Sequence, residues 1–321
     1  MAAALNRFQA ADAVKALAEK HGFDACGIAA AVPLGGEFER FTQWLEAGYH
    51  GTMAWMERQT EKRQDPRLIV PGAQSVIVLA KTYDTPARHP EGTEGKISRY
   101  AWGDDYHDVV AGPLAQFCDD VRNLGDDVVC KQYIDTGPVL EKQWAVRSGL
   151  AWQGKHSNVI RRDIGSFFFL AVVITTMDCA EDEPIADYCG TCTACIDACP
   201  TKAIVQPYVV DSRQCIPYWT IEAKPDVAIP ETIAASMDGW LYGCDICQDV
   251  CPWNRFRRET TEVAFQPRHG ETYLNPTDVI TLLPEQFSER FRKSPVKRTK
   301  LAGLQRNAQA LIDHSSHDEQ P

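Results

Sequence analysis

Apolar side chains in the first part of the chain follow two different periods. From Phe8 to Lys20 they recur at helical spacing, with Ala13, Val14, Leu17 and Ala18 on the face predicted to be buried. Cys26-Gly27-Ile28-Ala29 reads as a short strand. Ser75-Val76-Ile77-Val78-Leu79-Ala80 is a continuous apolar run, the pattern of a strand covered on both faces. Helices are predicted over 37–58 and 107–124. Val128 to Ile134 reads as a strand that runs into Asp135-Thr136-Gly137-Pro138, and a helix follows from Val139 to Ser148. Phe167 to Thr175 is the strongest strand signal. Strands and helices interleave, so the fold class is α+β, opening with an α/β sandwich of about 180 residues.

The pattern changes at Glu181-Asp182-Glu183-Pro184-Ile185-Ala186-Asp187, which reads as an acidic linker. A cysteine-rich module follows, and after Trp253 the chain becomes polar. The expected organisation is a catalytic domain over 1–180, a ferredoxin-like module over 181–258 and a short basic, helical tail over 259–321. Arg290, Arg292, Lys293, Lys297, Arg298, Lys300 and Arg306 make the tail basic, and Asp313 to Pro321 are expected to be disordered.

Composition narrows the class. Of 321 residues 44% are hydrophobic, enough for a sizeable core. No apolar run approaches the roughly 20 residues needed to cross a bilayer, and the N-terminus carries no export signal. A cytoplasmic protein is expected, with no membrane partner. The net charge of −11 argues against non-specific nucleic-acid binding by the whole surface, so any such contact must be local.

Twelve cysteines in a reducing compartment are not a disulfide framework, and eight of them lie between Cys189 and Cys251. Cys189-x2-Cys192-x2-Cys195-x3-Cys199-Pro200 is the bacterial ferredoxin run. Cys244-x2-Cys247-x3-Cys251-Pro252 repeats its end, and Cys215 supplies the missing cysteine if the residues up to Cys244 are an insertion. The ferredoxin rule exchanges the fourth cysteines. One [4Fe–4S] cluster then takes Cys189, Cys192, Cys195 and Cys251; the other takes Cys199, Cys215, Cys244 and Cys247. Zinc uses paired knuckles with a long spacer and does not explain the added cysteine and proline, twice. Cys26, Cys118, Cys130 and Cys179 read as small buried hydrophobes.

Two clusters form a one-electron wire, and the large N-terminal part is where the chemistry should end. No G-x-G-x-x-G follows a strand there and no P-loop is present, so nucleotide chemistry is unsupported.

Several stretches resemble the epoxyqueuosine reductase family: Ser98 to His107, Ile134 to Lys142, Trp152 to Asn158, and Gly243-Cys244-Asp245-Ile246-Cys247-Gln248-Asp249-Val250-Cys251-Pro252-Trp253-Asn254. The resemblance covers nearly the whole chain. Many members continue into a HEAT-like helical repeat, of which this tail is a truncated counterpart. The resemblance implies a cobalamin in the N-terminal domain and reduction of epoxyqueuosine, at the tRNA wobble position, to queuosine. It implies tRNA as partner, a low-potential donor of ferredoxin or flavodoxin type, and a monomer. The axial-histidine signature Asp-x-His-x-x-Gly is a near miss at Asp105 to Val110, so an axial histidine from that motif is not expected.

Asp135 is implied as the proton donor. By its residues alone it reads more readily as a helix cap, followed as it is by Thr136, Gly137 and Pro138. An acid at that position should be partly desolvated. Arg58, Ser98, Tyr100, His156, Ser157, Asn158 and Asp245 are the further cofactor-binding candidates, with Asp135 itself. A loop histidine, core aromatics or a loop-capping aspartate remain the structural alternatives. Lys142, Arg255, Arg257, Arg258, Lys297 and Arg298 are the candidate phosphate contacts. Two other classes stay open: a reductive dehalogenase acting on a small molecule, and a non-catalytic ferredoxin fused to a docking domain. The second leaves the N-terminal half and Asp135 unexplained.

Overall fold

The computed structural model describes residues 5–315. Its centre is a four-stranded sheet of β1 (Ala25–Ala30), β2 (Ser75–Thr82), β3 (Cys130–Tyr133) and β4 (Phe168–Thr175), in the spatial order β1-β2-β4-β3. Every neighbouring pair is antiparallel. β2 pairs with β4 along its whole length, from Ser75 opposite Thr175 to Thr82 opposite Phe168.

Alternation sends successive side chains to opposite faces. Ile77, Leu79, Ala171 and Val173 pack on one side against α1 (Arg7–Lys20) and α2 (Tyr106–Arg122), through Val14, Leu114, Phe117 and Val121. Val76, Val78, Ala80, Val172 and Ile174 pack on the other against α3 (Glu141–Arg147), through Trp144 and Ala145. Both faces are covered, which is why β2 and β4 read as unbroken apolar runs. Cys118, Cys130 and Cys179 are buried as expected, whereas Cys26 is only half-buried.

Helix starts follow their caps. Asn6 and Gln9 form a capping box on α1, and the Asp105 carboxylate accepts from the His107 N–H at the start of α2. The helix expected over 37–58 is not continuous. It ends at Glu46 and resumes as a short turn over Ala54–Glu57. Gly48 and Gly51 between them have φ of +66° and +59°, and a Cβ on Gly51 would lie 2.8 Å from the Tyr218 ring. The stop itself is local: Gly48 caps the helix, its N–H donating to Leu45 O and the Tyr49 N–H to Trp44 O. The Tyr218 ring, from the segment between Cys215 and Cys244, then packs on Gly51.

The acidic stretch after Ala180 is not a free linker. The Asp182 N–H donates to Ile28 O, the Ile28 N–H donates to Asp182 Oδ2, and Lys15 pairs with Asp182 at 2.5 Å. The segment between Cys215 and Cys244 is likewise pinned: Trp240–Tyr242 pairs in parallel with Lys96–Ile97.

The tail shares a core with both earlier parts. Ile97 and Trp102 pack with Leu241 and Tyr242, with Phe287 and Phe291, and with Leu304, Ala308 and Leu311 of α4 (Lys300–Ser315). Buried Asn307 donates to the carbonyls of Thr220 and Leu241 at 2.9 and 3.0 Å. Asp313 and His314, expected to be disordered, belong to α4; His314 Nε2 lies 2.9 Å from Glu231. The rest of that stretch, 316–321, lies outside the described residues. Among the described residues no helix is long and apolar enough to cross a membrane.

Candidate active site and paired cysteine sets

A cavity with ≈ 710 Å³ of empty space, including its mouth, opens beside the sheet. Its lining comes from Tyr106 at the start of α2, Asp135 after β3, Glu141 and Lys142 at the start of α3, Asn158, and Phe169 of β4. Tyr106 stacks on Phe169 with ring centroids 4.3 Å apart and planes 8° apart, which makes one wall flat. Tyr100 stands beside this pair.

Asp135 has φ of +56°. A left-handed residue other than glycine carries a cost of roughly 1 kcal/mol, which the surrounding loop must enforce. Gly137 lets the loop fold back: a Cβ there would lie 2.1 Å from the Tyr133 ring. The Tyr106 hydroxyl donates to Asp135 Oδ2 at 2.6 Å, and His107 Nε2 stands 3.9 Å from the same oxygen. The expected desolvation of this carboxyl is not found, since its side chain is 63% exposed at the cavity mouth. Tyr106 and His107 back it on one side. Burial and the adjacent Asp135 raise the Tyr106 phenol far above its ordinary range, so it stays a neutral donor. His107 is held above the usual histidine range, first by its bond to Asp105. Its Nδ1 lies 2.7 Å from Asp105 Oδ1.

Lys142 Nζ donates to Asn158 Oδ1 at 2.7 Å, and the side chain lines the cavity while remaining exposed to solvent. Enclosure lowers its ammonium below the ordinary range; Asp135 opposes this most, followed by Cys247 and Glu141. His156 is buried and pushed down to about 4, by burial and then by the charge of Lys142. Its Nδ1 accepts from the Asn158 N–H at 3.2 Å, while Nε2 has no partner. Ser157, with φ of +67°, donates to Tyr208 O. Of that predicted triplet, Asn158 is the residue that lines the cavity.

Ser98 and Asp245 are brought together, but with each other. Ser98 Oγ donates to Asp245 Oδ1 at 2.5 Å, and both are buried. Asp245 also accepts from the Arg99 N–H at 2.8 Å. Both residues serve to clamp the loop that carries Cys244 and Cys247 onto the N-terminal part. Arg58 is exposed, and its carbonyl accepts from Arg63. Among the phosphate candidates, Arg257 is committed elsewhere: its Nε donates to fully buried Asp84 at 2.7 Å. Arg255, Arg258, Lys297 and Arg298 are exposed. Arg298 pairs with Glu222, lies over the Trp55 ring, and is raised chiefly by Glu222 with a contribution from Asp135.

The eight clustered thiols fall into two sets by mutual repulsion. Burial first, and then Cys251, Cys189 and Cys192, push Cys195 up to about 11. Burial first, and then Cys199, push Cys215 up to about 12. Cys244 and Cys247 are raised well above the thiol range, with Cys215 among the causes for each. Among the described residues no three of these side chains converge closely enough to form a metal site by themselves. Buried thiols that repel one another keep their protons until a metal takes their place. Cys247 also feels Cys195, so the two sets adjoin. The set with Cys215 and Cys247 is the one next to Lys142, hence next to the cavity.

Residues 188–254 match the family model of a 4Fe-4S double cluster binding domain. The module and the adjoining cavity define a two-cluster iron–sulfur oxidoreductase. Residues 63–136 match the model described as epoxyqueuosine reductase QueG, DUF1730. An epoxyqueuosine reductase of Cellulophaga algicola is 47% identical over 300 residues, spanning 94% of this chain and 97% of that protein. One of Leadbetterella byssophila is 47% identical over 294 residues, spanning 92% and 95%. The chain belongs to the epoxyqueuosine reductase family. A crystal structure of epoxyqueuosine reductase with an epoxyqueuosine-modified tRNA-Tyr stem loop has TM-score 0.88 at 29% identity, over 96% of this chain and 82% of that one. The Bacillus subtilis enzyme with its catalytic aspartate loop swung out of the active site has TM-score 0.87 at 28% identity, over the same shares of the two chains.

Tyr106, Glu141 and Phe169 are among the cavity residues that the sequence did not single out. Tyr106 and Glu141 both lie inside stretches that carry the family resemblance, but nothing in their spacing ties either to Asp135.

Proposed function

We propose that the protein reduces the epoxide of epoxyqueuosine, in the wobble position of a tRNA, to the alkene of queuosine. The observation that carries this is Asp135, its carboxyl held by Tyr106 at the mouth of a cavity whose floor adjoins the second cysteine set. Removing the epoxide oxygen as water takes two electrons and two protons. An alkoxide leaves poorly, so a positioned acid lowers the barrier, by 10²–10⁴-fold for acids of this kind. Asp135 is read as that acid. Tyr106 orients it through the bond to Oδ2, leaving Oδ1 for the substrate.

The eight thiols are read as ligands of two [4Fe–4S] clusters: Cys189, Cys192, Cys195 and Cys251 for one, Cys199, Cys215, Cys244 and Cys247 for the other. The second is proximal to the cavity through its nearness to Lys142. The first reaches solvent at exposed Cys192, where a ferredoxin- or flavodoxin-type donor would deliver electrons.

A cobalamin is larger than the cavity, so only one edge of it would enter, through the open side. A flat aromatic wall of Tyr106 and Phe169 faces a polar edge of Asn158 and Lys142, and the space opens to solvent on one side. Tyr100, Phe169 and Asn158 would hold the group. Bound there, it would supply a strongly reducing, nucleophilic cobalt. His107 is tied to Asp105 through its Nδ1 and stands beside Asp135. Trp55 and Arg298, which pack on each other, are read as a stacking face and a cation for the splayed anticodon base. Arg255, Arg258 and Lys297 are read as phosphate contacts.

The test is expression in a bacterial strain deleted for its own enzyme, followed by mass spectrometry of tRNA nucleosides. Queuosine should replace epoxyqueuosine. Persistence of the epoxide alongside soluble, iron-loaded protein would overturn the reading.

A further inference from the structure

The reduction consumes two protons, and Asp135 carries one. Glu141 lines the same cavity, and its Oε1 is buried with no hydrogen-bond partner. The charged groups facing it are Asp135 from the loop after β3, Arg63, and Lys142 beside it on α3. None of them neutralises it at contact. Arg63 spends its guanidinium on the carbonyls of Trp55 and Arg58, and Lys142 donates to Asn158. The residue's own backbone N–H and the more distant charges of Arg63 and Lys142 favour the ionised form, but the lost hydration and the charge of Asp135 outweigh them. A carboxylic acid is the form the site favours.

We propose that Glu141 is the second proton source of the reaction, reloading Asp135 through cavity water after Asp135 has protonated the departing oxygen. The inference rests on the epoxide-reduction reading. The balance is as follows. Two electrons arrive from the low-potential donor by way of the clusters, and both carbon–oxygen bonds of the epoxide break as the alkene forms. The first proton passes from Asp135 to the oxygen. The second passes from Glu141 to the Asp135 carboxylate and on to the oxygen, which leaves as water. Solvent then reprotonates Glu141. Glu141 touches neither substrate nor cofactor; it acts through Asp135. Burial, and then the charge of Asp135, push its carboxyl up to about 7, so that it is half-loaded near neutral pH.

The test uses the reconstituted holoenzyme with an epoxyqueuosine-modified anticodon stem loop. The wild-type kcat should fall as pH rises from about 6 to 8, the range in which a carboxyl so raised loses its proton. Glu141→Gln should lower kcat by roughly 10- to 100-fold at the acid end and remove that decline. Its iron content and visible spectrum should match wild type. Glu141→Asp should restore part of the rate together with the pH dependence. A Glu141→Gln enzyme with the wild-type rate and profile overturns the inference. An infrared pH titration of the protein without substrate gives a readout free of turnover: a protonated-carboxyl band that disappears near neutrality, absent in Glu141→Gln. Lack of that band in wild type overturns the role of Glu141 alone, whereas its presence in a protein inert toward the stem loop overturns the epoxide-reduction reading instead.

Discussion

The Tyr106 hydroxyl donates to Asp135 Oδ2 at 2.6 Å while its ring lies flat on Phe169. One side chain thus joins the hydrophobic wall of the cavity to its acid. Tyr106→Phe removes the hydroxyl and keeps the stack. Turnover should drop about 10-fold or more as Asp135 loses its orientation, with little change in thermal stability. Asp135→Asn should retain iron and lose turnover altogether. Activity equal to wild type in Asp135→Asn would exclude the acid role.

Cys215 is the ligand placed by the insertion argument. Cys215→Ser should cut iron per chain by about half and remove one cluster's signal from the electron paramagnetic resonance spectrum of the reduced protein. Cys118→Ser, in the apolar core, should leave iron content unchanged. Equal iron in both variants would take Cys215 out of the ligand set.

His107 is raised by its bond to Asp105. A histidine whose pKa is higher folded than unfolded contributes stability in full below its unfolded value, near 6.5. That contribution fades as pH rises through the folded value. Proton NMR of the ring should therefore place the His107 titration above that of a free histidine. Asp105→Asn should bring it back down and flatten that part of the stability–pH curve. An unchanged titration in the variant would contradict the assignment.

Arg99 ties the cluster module to the N-terminal part. Its Nη1 lies 2.5 Å from Asp249 and 3.3 Å from Asp245, and its Nε 3.7 Å from Asp84. Buried Asp84 and Asp245 are held above the usual carboxylate range by burial and are counterbalanced first by Arg257 and Arg99 respectively. Arg99→Met takes the main counter-charge from Asp245 and part of that on Asp84, which keeps Arg257. Denaturant melts should show a loss of about 3–5 kcal/mol, the usual result of breaking a buried pair from one side. A loss no larger than that of a surface arginine variant would mean that Asp84 and Asp245 are already neutral.

Alternation and helical spacing in the sequence determined the sheet and its two covered faces, because the burial of β2 and β4 is written in consecutive side chains. The spacing Cys189-x2-Cys192-x2-Cys195-x3-Cys199-Pro200, and its repeat, determined the double-cluster module, because three ligands on one short loop must be close in sequence. Features made by residues far apart in the chain were decided only by the tertiary structure. Tyr218 packs on Gly51 from far along the chain, in the turn that follows the helix stop at Gly48. Arg257 and Arg306 looked like solvated cations. Asp84 claims one, and the carbonyls of Lys224 and Val227 claim the other. The cavity itself follows the same rule: Tyr106, Asp135 and Glu141 become neighbours where α2, the loop after β3 and α3 converge. The charge and exposure of each depend on what the others present across that space, which no local pattern encodes.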